Sequence, residues 1–258
     1  MIDFTLTETD QAIVDYNRAA ALICRKYARY YDENEHEMAP EVLPEAEAFY
    51  GETPLPPRGG SEDTSPPVMM ALHAMISHWG DYTIRLKRSG GGLGNAALSA
   101  AGTPEQQKKW GDLVLSMAIT EPGCGSDPSR VSTSAVLDEA TDEWVINGEK
   151  IFVTTGIRAE AVVIWATLDK SAGRAGIKSF LVEKGTPGFD VPHKEKKLGI
   201  RADDTAAYVF SDCRIPRANL LGGDESISKK TSGGFRGVMK TFNMTRPMTA
   251  AMGLGLAE

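Results

Sequence analysis

The 258-residue chain has few cysteines and no long apolar run. Cys24, Cys124 and Cys213 form no CxxC pair, and an odd, scattered set argues against a disulfide framework and for a reducing compartment. No window approaches the roughly 18 apolar residues of a membrane span, and Met1-Ile2-Asp3-Phe4 does not resemble an export signal. The composition therefore predicts a cytoplasmic protein that does not cross a membrane.

The sequence also lacks the patterns of common metal and hydrolase sites. Its four histidines include no HxH or HExxH, and His73 and His78 stand five residues apart, so they do not share one helical face. Ser126 is not in a GxSxG turn, because Pro128 occupies the last glycine position. The net charge, 28 − 35 = −7, disfavours nucleic acid as a partner but permits a local basic pocket. We expect no metal and no nucleic acid.

The length favours two domains, or one large domain with an attachment. The residue pattern changes twice along the chain, from helical to β-type and back to helical. Apolar residues recur at helical spacing from Thr7, where Thr7 and Asp10 resemble a capping pair. Thr103-Pro104-Glu105-Gln106 predicts another helix start. The helical period returns from Gly233 and still holds where the sequence ends at Glu258. We therefore expect the last helical part to be incomplete.

Between these helical parts the sequence has the character of β-structure. Short segments rich in Val, Ile, Thr and aromatic residues predict seven strands, at residues 115–120, 131–137, 143–146, 150–155, 161–167, 178–182 and 206–210. Asn147-Gly148 predicts a hairpin turn between two of them, because a type I′ turn needs positive φ at both central residues. Strands this close together favour an antiparallel barrel or sandwich over alternating βα units.

Three segments are candidates for binding or chemistry. Gly92 to Ala97 fits a relaxed GxGxxA dinucleotide pattern, but the absence of βα alternation favours a loop in a helical layer. Cys124 is better explained as a small residue in a tight turn than as a reactive thiol. Thr120 to Ser126 joins two hydroxyls to a glycine-rich turn, which suits a polar heterocycle with a phosphorylated chain. A barrel-rim turn capped by Asp127 explains the same segment equally well.

Several segments, taken in order, resemble the acyl-CoA dehydrogenase family. AITEPGCGSD (118–127) resembles its first flavin motif, and WVINGEKIFVTTG (144–156) resembles the hairpin that follows. KLGIRADDTAAYVFSDCRIPRANLLG (197–222) is similar to the last strands and linker, AAGTPEQQKKW (100–110) to the helix before the barrel, and TRPMTAAMGLGLAE (245–258) to the start of the C-terminal bundle. The resemblance spans nearly the whole chain.

The resemblance implies an α+β multidomain subunit that binds FAD between a β-domain and helical bundles. It implies an N-terminal helical domain (1–117), a middle antiparallel β-barrel (118–226) and the beginning of a C-terminal helical bundle (227–258). Thr120 would hydrogen-bond the flavin ring, Thr154 would donate to flavin N5, and Phe152 would pack against the ring. The implied cofactor-binding residues are Met117, Ile119, Thr120, Gly125, Ser126, Phe152, Val153 and Thr154, and the implied substrate-binding residues are Ser126, Asn243, Thr245 and Arg246.

The implied activity is α,β-dehydrogenation of an acyl-CoA thioester, in which a carboxylate removes the α-proton while a hydride leaves the β-carbon. The sequence departs from the family at Cys124, Phe152 and Arg130, where a small residue, Trp and a small residue are usual. Family members place the base beyond this sequence or at the position of Thr245, and a neutral hydroxyl is too weak a base. The catalytic base is therefore unknown, and we expect this chain to be inactive alone.

Three readings of the function stay open. The chain is an acyl-CoA dehydrogenase with an electron-transfer flavoprotein-like acceptor, a base-less flavin-binding or structural subunit of a heteromeric enzyme, or a related flavin oxidase. The family resemblance also implies a homo- or hetero-oligomer, either a dimer or a tetramer. A Glu in a continuation of the sequence would favour the first reading.

Overall fold

A computed structural model describes residues 6–56, 66–87, 92–227 and 233–258. The chain divides into two compact units. The helical unit comprises Met1–Ser89, Lys196–Asp203 and Asn243–Glu258, and the sheet unit comprises Gly90–Glu195 and Asp204–Phe242. No described helix has both the length and the apolar character needed to cross a membrane.

The helical unit contains α1 (Glu8–Glu33), α2 (Ala46–Glu52), α3 (Pro66–Gly80) and the greater part of α6 (Gly233–Ala257). The capping box predicted at the start of α1 is present, since Thr7 and Asp10 bond each other's backbone N–H groups. A Cβ on Gly80 would lie 2.3 Å from the Ala21 carbonyl oxygen, so only glycine permits this approach of α3 to α1. The unit's apolar core is formed by Cys24, Ala39, Leu43, Ala46, Phe49, Ile84, Leu86 and Ala202.

The sheet unit begins with α4 (Leu93–Ala101) and α5 (Pro104–Trp110). Its described strands are β1 (Leu115–Ala118), β2 (Ser134–Asp138), β3 (Glu143–Val153), β4 (Ala161–Thr167), β5 (Ile177–Glu183), β6 (Phe189–Asp190) and β7 (Ala206–Pro216). Short 3-10 helices occupy Pro128–Arg130, Lys170–Gly176 and Arg217–Asn219. The strand order is β1-β4-β2-β3-β7-β6, with β5 on the other edge of β4.

The sheet has an apolar core on each face. Residues of β4 alternate between the two cores: Val162 and Ile164 pack in the one that contains Trp144 and Tyr208, whereas Val163 and Trp165 pack with α4 and α5. Burial on both faces explains why β4 reads as a continuous apolar run instead of an alternating one. Each Å² of apolar area buried in these two cores stabilises the unit by about 25 cal/mol.

The predicted helix starts and most predicted strands are confirmed, but the hairpin at Asn147-Gly148 is wrong. Residues 143–153 form one continuous strand, and the β2–β3 turn lies earlier, where Asp142 has φ 56°. Gly148 has φ 149° at an irregularity in the β3–β7 register, and a Cβ there would lie 2.5 Å from Thr133 Oγ1. Gly148 therefore permits a bulge and the close approach of Thr133, and it does not form a hairpin turn.

Two further expectations need correction. The sheet is mixed rather than purely antiparallel, because β1 runs parallel to β4 over Leu115–Ala118. The segment from Gly92 begins α4, with Gly92 as its N-cap, so the predicted loop is wrong. No strand precedes this helix within the described residues 81–87, and the dinucleotide pattern therefore lacks its strand.

The side chain of Gln106 ties α5 to the segment that follows β7. Its amide nitrogen donates to the carbonyl oxygens of Ala218 (2.9 Å) and Leu220 (2.8 Å). Its amide oxygen accepts from the backbone N–H of Gly222 at 3.1 Å and from that of Thr103, the N-cap of α5, at 2.9 Å. This buried amide is thus fully bonded and fixes the edge of the unit.

Candidate functional site

The candidate site is the rim of the sheet unit where β1 ends. The chain turns sharply around Pro122-Gly123, since Glu121 and Cys124 exchange backbone hydrogen bonds of 2.8 and 3.0 Å. The buried Glu121 carboxylate accepts from the Ser132 N–H (2.7 Å), the Ser132 hydroxyl (2.6 Å) and the Thr133 N–H (3.0 Å). These bonds join Glu121 to Ser132 and Thr133, so they close the loop of residues 122–131 and fix its two ends.

Lys150 connects this turn to β3. Its ammonium, fully buried, donates to Glu121 Oε1 (2.7 Å) and to the carbonyl oxygens of Trp165 (2.6 Å) and Ile119 (3.2 Å). All three donors of the ammonium therefore have acceptors. Burial alone would raise the pKa of Glu121, but the Lys150 ammonium and the bonds from Ser132 and Thr133 outweigh it and lower the pKa to about 2. Glu121 is thus ionised at neutral pH.

The end of β3 presents an aromatic side chain to solvent. Two residues separate Lys150 and Val153 on β3, whereas one residue separates their partners Tyr208 and Ala206 on β7. The bulge places Phe152 at φ 58° with 62% of the residue exposed. Positive φ is unfavourable for a bulky residue, and an exposed aromatic ring gains nothing from the core, so the conformation is typical of a binding site.

The structure brings the Thr120 and Thr154 segments together. The N–H of Ile151, one residue before Phe152, donates to the Thr120 carbonyl oxygen at 2.9 Å. The hydroxyls of Thr120, Ser126 and Thr154 donate to no other group in the described ranges, and a Cβ on Gly125 would meet nothing within 4 Å. The rim therefore combines unused hydroxyls, free space at Gly125 and the exposed Phe152 ring.

A second set of buried polar groups fixes the chain after Thr154. Asp204 accepts from the N–H groups of Ile157 (3.0 Å) and Arg158 (2.9 Å) and from Arg158 Nε (2.6 Å). The Gly156 N–H donates to the Asp204 carbonyl oxygen at 2.7 Å, and the Tyr208 hydroxyl donates to the Gly156 carbonyl oxygen at 2.8 Å. The rim is thus supported on both sides of Phe152.

Not every residue expected at the site offers its side chain. Ile119 and Val153 are buried in the two apolar cores of the sheet unit, so only their backbone groups could meet a ligand. Met117 is half-buried against the core next to α4. Cys124 is buried, its thiol donates to the Asp127 carbonyl oxygen at 3.2 Å, and burial raises the pKa of the thiol. Cys124 therefore fills the turn, as its position indicated, and is not a nucleophile at neutral pH.

The expected substrate residues other than Ser126 lie on α6, in the part that belongs to the helical unit. Asn243 and Arg246 are exposed, Thr245 is half-buried, and the Thr245 carbonyl oxygen accepts from the Thr249 hydroxyl at 3.1 Å. Ser126 is exposed in the sheet unit. That these residues bind one ligand together stays a prediction.

The roles of Lys150 and Glu121 were not among the predictions from the sequence. The signal was present for Lys150, because Trp144 and Ile146 are buried on β3 and Lys150 has the same period-two parity. A lysine on the core-facing side of a strand requires a buried acceptor. The described residues contain no cluster of three or more His, Cys, Asp or Glu that could hold a metal ion.

Comparison with known proteins identifies similar sequences. Residues 116–213 match the family model of the acyl-CoA dehydrogenase middle domain. The chain is 39% identical over 168 residues to acryloyl-CoA reductase (NADH) of Anaerotignum propionicum, and 41% identical over 163 residues to the mitochondrial short-chain specific acyl-CoA dehydrogenase of Rattus norvegicus. These matches cover 63% and 61% of this chain but 41% and 37% of the relatives, so the chain matches about two fifths of their length.

Solved structures resemble nearly the whole chain. Butyryl-CoA dehydrogenase of Megasphaera elsdenii superimposes with a TM-score of 0.76 at 26% identity, covering 99% of this chain and 67% of that one. A structure described as the electron transferring flavoprotein of Acidaminococcus fermentans gives a TM-score of 0.76 at 29% identity, with coverage of 99% and 67%. The mixture of helices and a curled sheet is therefore shared with these proteins.

Proposed function

In its sequence and its fold the chain is a relative of the acyl-CoA dehydrogenases, and from that relationship we propose that it serves FAD-dependent α,β-dehydrogenation of an acyl-CoA thioester. The observation that carries the proposal is the rim of the sheet unit. That rim carries an exposed aromatic ring on a strained bulge, and the Ile151–Thr120 backbone bond joins the segment of this ring to a segment with unused hydroxyls. All of these residues lie within the part that matches the middle-domain model. The protein is thus an oxidoreductase that acts on a carbon–carbon bond.

The names of the relatives support a short acyl substrate and one particular bond. The rat relative is specific for short chains, and the M. elsdenii structure is a butyryl-CoA dehydrogenase. The A. propionicum relative is a reductase of acryloyl-CoA, an α,β-unsaturated thioester, so it acts on the same bond in the opposite direction. Both directions of the reaction therefore belong in a test of this protein.

The residues of the rim fit a flavin. A planar, electron-poor ring system needs an aromatic face, donors for its polar edge and room for its chain. The exposed Phe152 ring supplies the face, the hydroxyls of Thr120 and Thr154 supply donors, and the open space beside Gly125 supplies the room. Backbone groups of Met117, Ile119 and Val153 complete the proposed set.

FAD, when bound, would supply the acceptor for the hydride that leaves the substrate. In this proposal Thr154 and Thr120 donate hydrogen bonds to the ring edge, and Phe152 excludes water from one of its faces. Ser126 would lie where the cofactor meets the CoA chain, and Asn243, Thr245 and Arg246 would hold that chain.

Glu121 is not the base that removes the α-proton. Its carboxylate is buried, is engaged by Lys150, Ser132 and Thr133, and has a pKa of about 2, so it has neither access to a substrate nor affinity for its proton. Thr245 carries only a neutral hydroxyl. The base is therefore not assigned to a described residue.

The finer architecture belongs to the same proposal. We assign residues 1–117 to an N-terminal helical bundle, 118–226 to a β-barrel domain and 227–258 to the start of a C-terminal bundle. A dimer or tetramer of identical or related subunits, located in the cytoplasm, would pass electrons to a flavoprotein acceptor. The similar structure named for an electron transferring flavoprotein supports that kind of acceptor.

The decisive experiment measures flavin content and substrate reduction in protein expressed from its gene. Bound FAD is quantified, and its absorbance is followed anaerobically after butyryl-CoA is added. The reduced protein is then mixed with acryloyl-CoA to test the reverse reaction. Thr154→Ala should keep the fold, shift the flavin potential and slow reduction about fivefold, the effect of losing roughly 1 kcal/mol from one hydrogen bond. Thr141→Ala, at the exposed β2–β3 turn, is the control.

Protein that folds but takes up no FAD would overturn the proposal. Protein that binds FAD without reduction by any acyl-CoA supports instead the base-less subunit, and reduction followed by rapid reoxidation in air supports the flavin oxidase. A Thr154→Ala variant with the potential and rates of the parent would remove Thr154 from the site.

A further inference from the structure

The helical unit contains a cavity of about 470 Å³ between α1, α3 and α6, distinct from the rim of the sheet unit. Ile13 of α1 and four methionines make its wall apolar, and polar groups of α3 and of the segment after it also line it. The methionines are Met69, Met70, Met248 and Met252. The volume lies in the range of small-molecule sites, and unbranched methionines adapt to flexible apolar ligands.

His78, which is buried, and Arg85, which is half-buried, form a polar pair in this cavity. His78 Nδ1 lies 2.6 Å from the Ala74 carbonyl oxygen, so Nδ1 carries the hydrogen and donates it. Nε2 is then the acceptor for Arg85 Nη2. Burial, followed by the positive charge of Arg85, lowers the pKa of His78 to about 4, so the imidazole is neutral at physiological pH. The positive charge of the pair therefore belongs to Arg85 alone.

The charge of Arg85 has no carboxylate bonded to it among the described residues. Its Nη1 donates to the carbonyl oxygens of Asp81 (3.0 Å) and Ile84 (2.8 Å), and its Nη2 donates to that of Tyr82 (3.1 Å) and to His78. The Asp81 carboxylate is near but accepts from backbone N–H groups instead. One guanidinium N–H, at Nε, remains for a ligand.

The polar and apolar groups are separated along α3. Residues 70, 73/74 and 77/78 share one face of the helix, and eight residues at 1.5 Å each separate Met70 from His78 by about 12 Å. Arg85 bonds His78, at the C-terminal end of this face, where Ser77 also lines the cavity. The methionines Met69 and Met70 lie at the other end.

We propose that this cavity binds a medium-chain monocarboxylate, with its carboxylate on Arg85 and Ser77 and its alkyl chain among the methionines. A carboxylate neutralises the half-buried charge of Arg85 and accepts from the remaining guanidinium N–H and the serine hydroxyl. A flexible alkyl chain of such an acid fits the apolar length of α3. The inference does not rest on the proposed flavin chemistry, because every lining residue belongs to the helical unit.

Titration calorimetry with octanoate tests the proposal, with 1-octanol as the uncharged probe. Octanoate should bind saturably at one site per chain, and octanol at least tenfold more weakly. Arg85→Gln should weaken octanoate binding at least tenfold, whereas Lys87→Gln, which removes the same charge from an exposed residue two positions away, should change it less than twofold. Absent binding, equal affinity for octanol, or an equal effect of both variants would overturn the proposal.

Methionine methyl NMR of the unsubstituted protein keeps the test decisive if Arg85→Gln does not fold. Octanoate should shift the signals of Met248 and Met252, assigned with Met248→Leu and Met252→Leu, and leave that of the exposed Met38 unchanged. Signals of Met248 and Met252 that do not move at saturating octanoate would place the ligand elsewhere and contradict the inference.

Discussion

Lys150 and Glu121 form an ion pair of 2.7 Å in which neither side chain is more than 2% exposed. An ion pair taken out of water stabilises a fold only while both partners stay bonded. Here Lys150 also bonds two carbonyl oxygens, and Glu121 also bonds Ser132 and Thr133. The pair therefore fixes the turn after β1 against β3, the two segments that carry the proposed flavin contacts.

Breaking this pair should destabilise the protein strongly. Glu121→Gln leaves the Lys150 ammonium buried without its counter-charge, so we expect urea denaturation to show a loss of about 3–5 kcal/mol. Glu33→Gln is the matched control, since Glu33 also forms an ion pair of 2.7 Å, with Arg29, but both of those side chains are exposed. Its loss should stay within about 0.5 kcal/mol. Equal losses in the two variants would contradict the assigned role.

The pH dependence of stability should carry the signature of Glu121. Because its pKa falls from an ordinary 4.5 to about 2 in the folded protein, the unfolded chain binds a proton first as the pH decreases. The stabilisation is fully present above about pH 4.5 and is lost as the pH falls towards 2. Chemical denaturation at intervals between pH 6 and 2 should show a shallower decline in Glu121→Gln than in the parent, and parallel curves would refute the prediction.

Gly148 should tolerate no side chain. A Cβ there would lie 2.5 Å from Thr133 Oγ1 and 2.7 Å from Thr133 Cα, and φ 149° is strained for any other residue. We expect Gly148→Ala to cost about 1–3 kcal/mol in thermal or urea unfolding. Gly199→Ala, where a Cβ meets nothing within 4 Å, should be close to neutral. A neutral Gly148→Ala would show that the Thr133 backbone yields easily.

Phe152→Gly should separate stability from binding. Glycine removes the penalty of φ 58°, and the exposed ring contributes little burial, so we expect a gain of about 1 kcal/mol in the free energy of unfolding. The same change should weaken FAD binding, because the aromatic face is lost. Ile200→Gly, at φ 54° in the helical unit, should stabilise similarly and leave FAD binding intact. Lower stability in Phe152→Gly would mean that the ring packs on the protein.

The sequence predicted those helices and strands whose start or length depends on neighbouring residues in the chain. The capping residues Thr7 and Thr103 lie at the helix starts they indicated, and the apolar run at 161–167 is β4 with the same bounds. The prediction at Asn147-Gly148 was wrong because a glycine in the sequence indicates an unusual φ or a close contact without showing which. It cannot distinguish a tight turn from the close approach of another segment. At Gly148 the reason is Thr133, fifteen residues away and close only in the folded sheet.

The candidate site followed from the sequence through family resemblance more than through physics. Hydroxyls at Thr120 and Thr154 and an aromatic residue at 152 are visible in the sequence, but their proximity depends on the bond between Ile151 and Thr120. The parallel pairing of β1 with β4 joins strands more than forty residues apart, and no local pattern specifies it. The Lys150 network follows from that pairing, because its acceptors are the carbonyl oxygens of Ile119, directly after β1, and of Trp165, within β4.

The position of Gln106 has a consequence for how the protein is made. Its partners Ala218 and Leu220 follow it by 112 and 114 residues, which a ribosome adds in about 6–23 s at 5–20 residues per second. Throughout that interval α5 has been synthesised but lacks the partners that anchor it, and its last residue, Trp110, lacks Leu181 and Leu221 of its final core. The early helices of the sheet unit therefore depend on residues that are synthesised late. Until those residues are added, the apolar surface around Trp110 stays exposed and is available to chaperones.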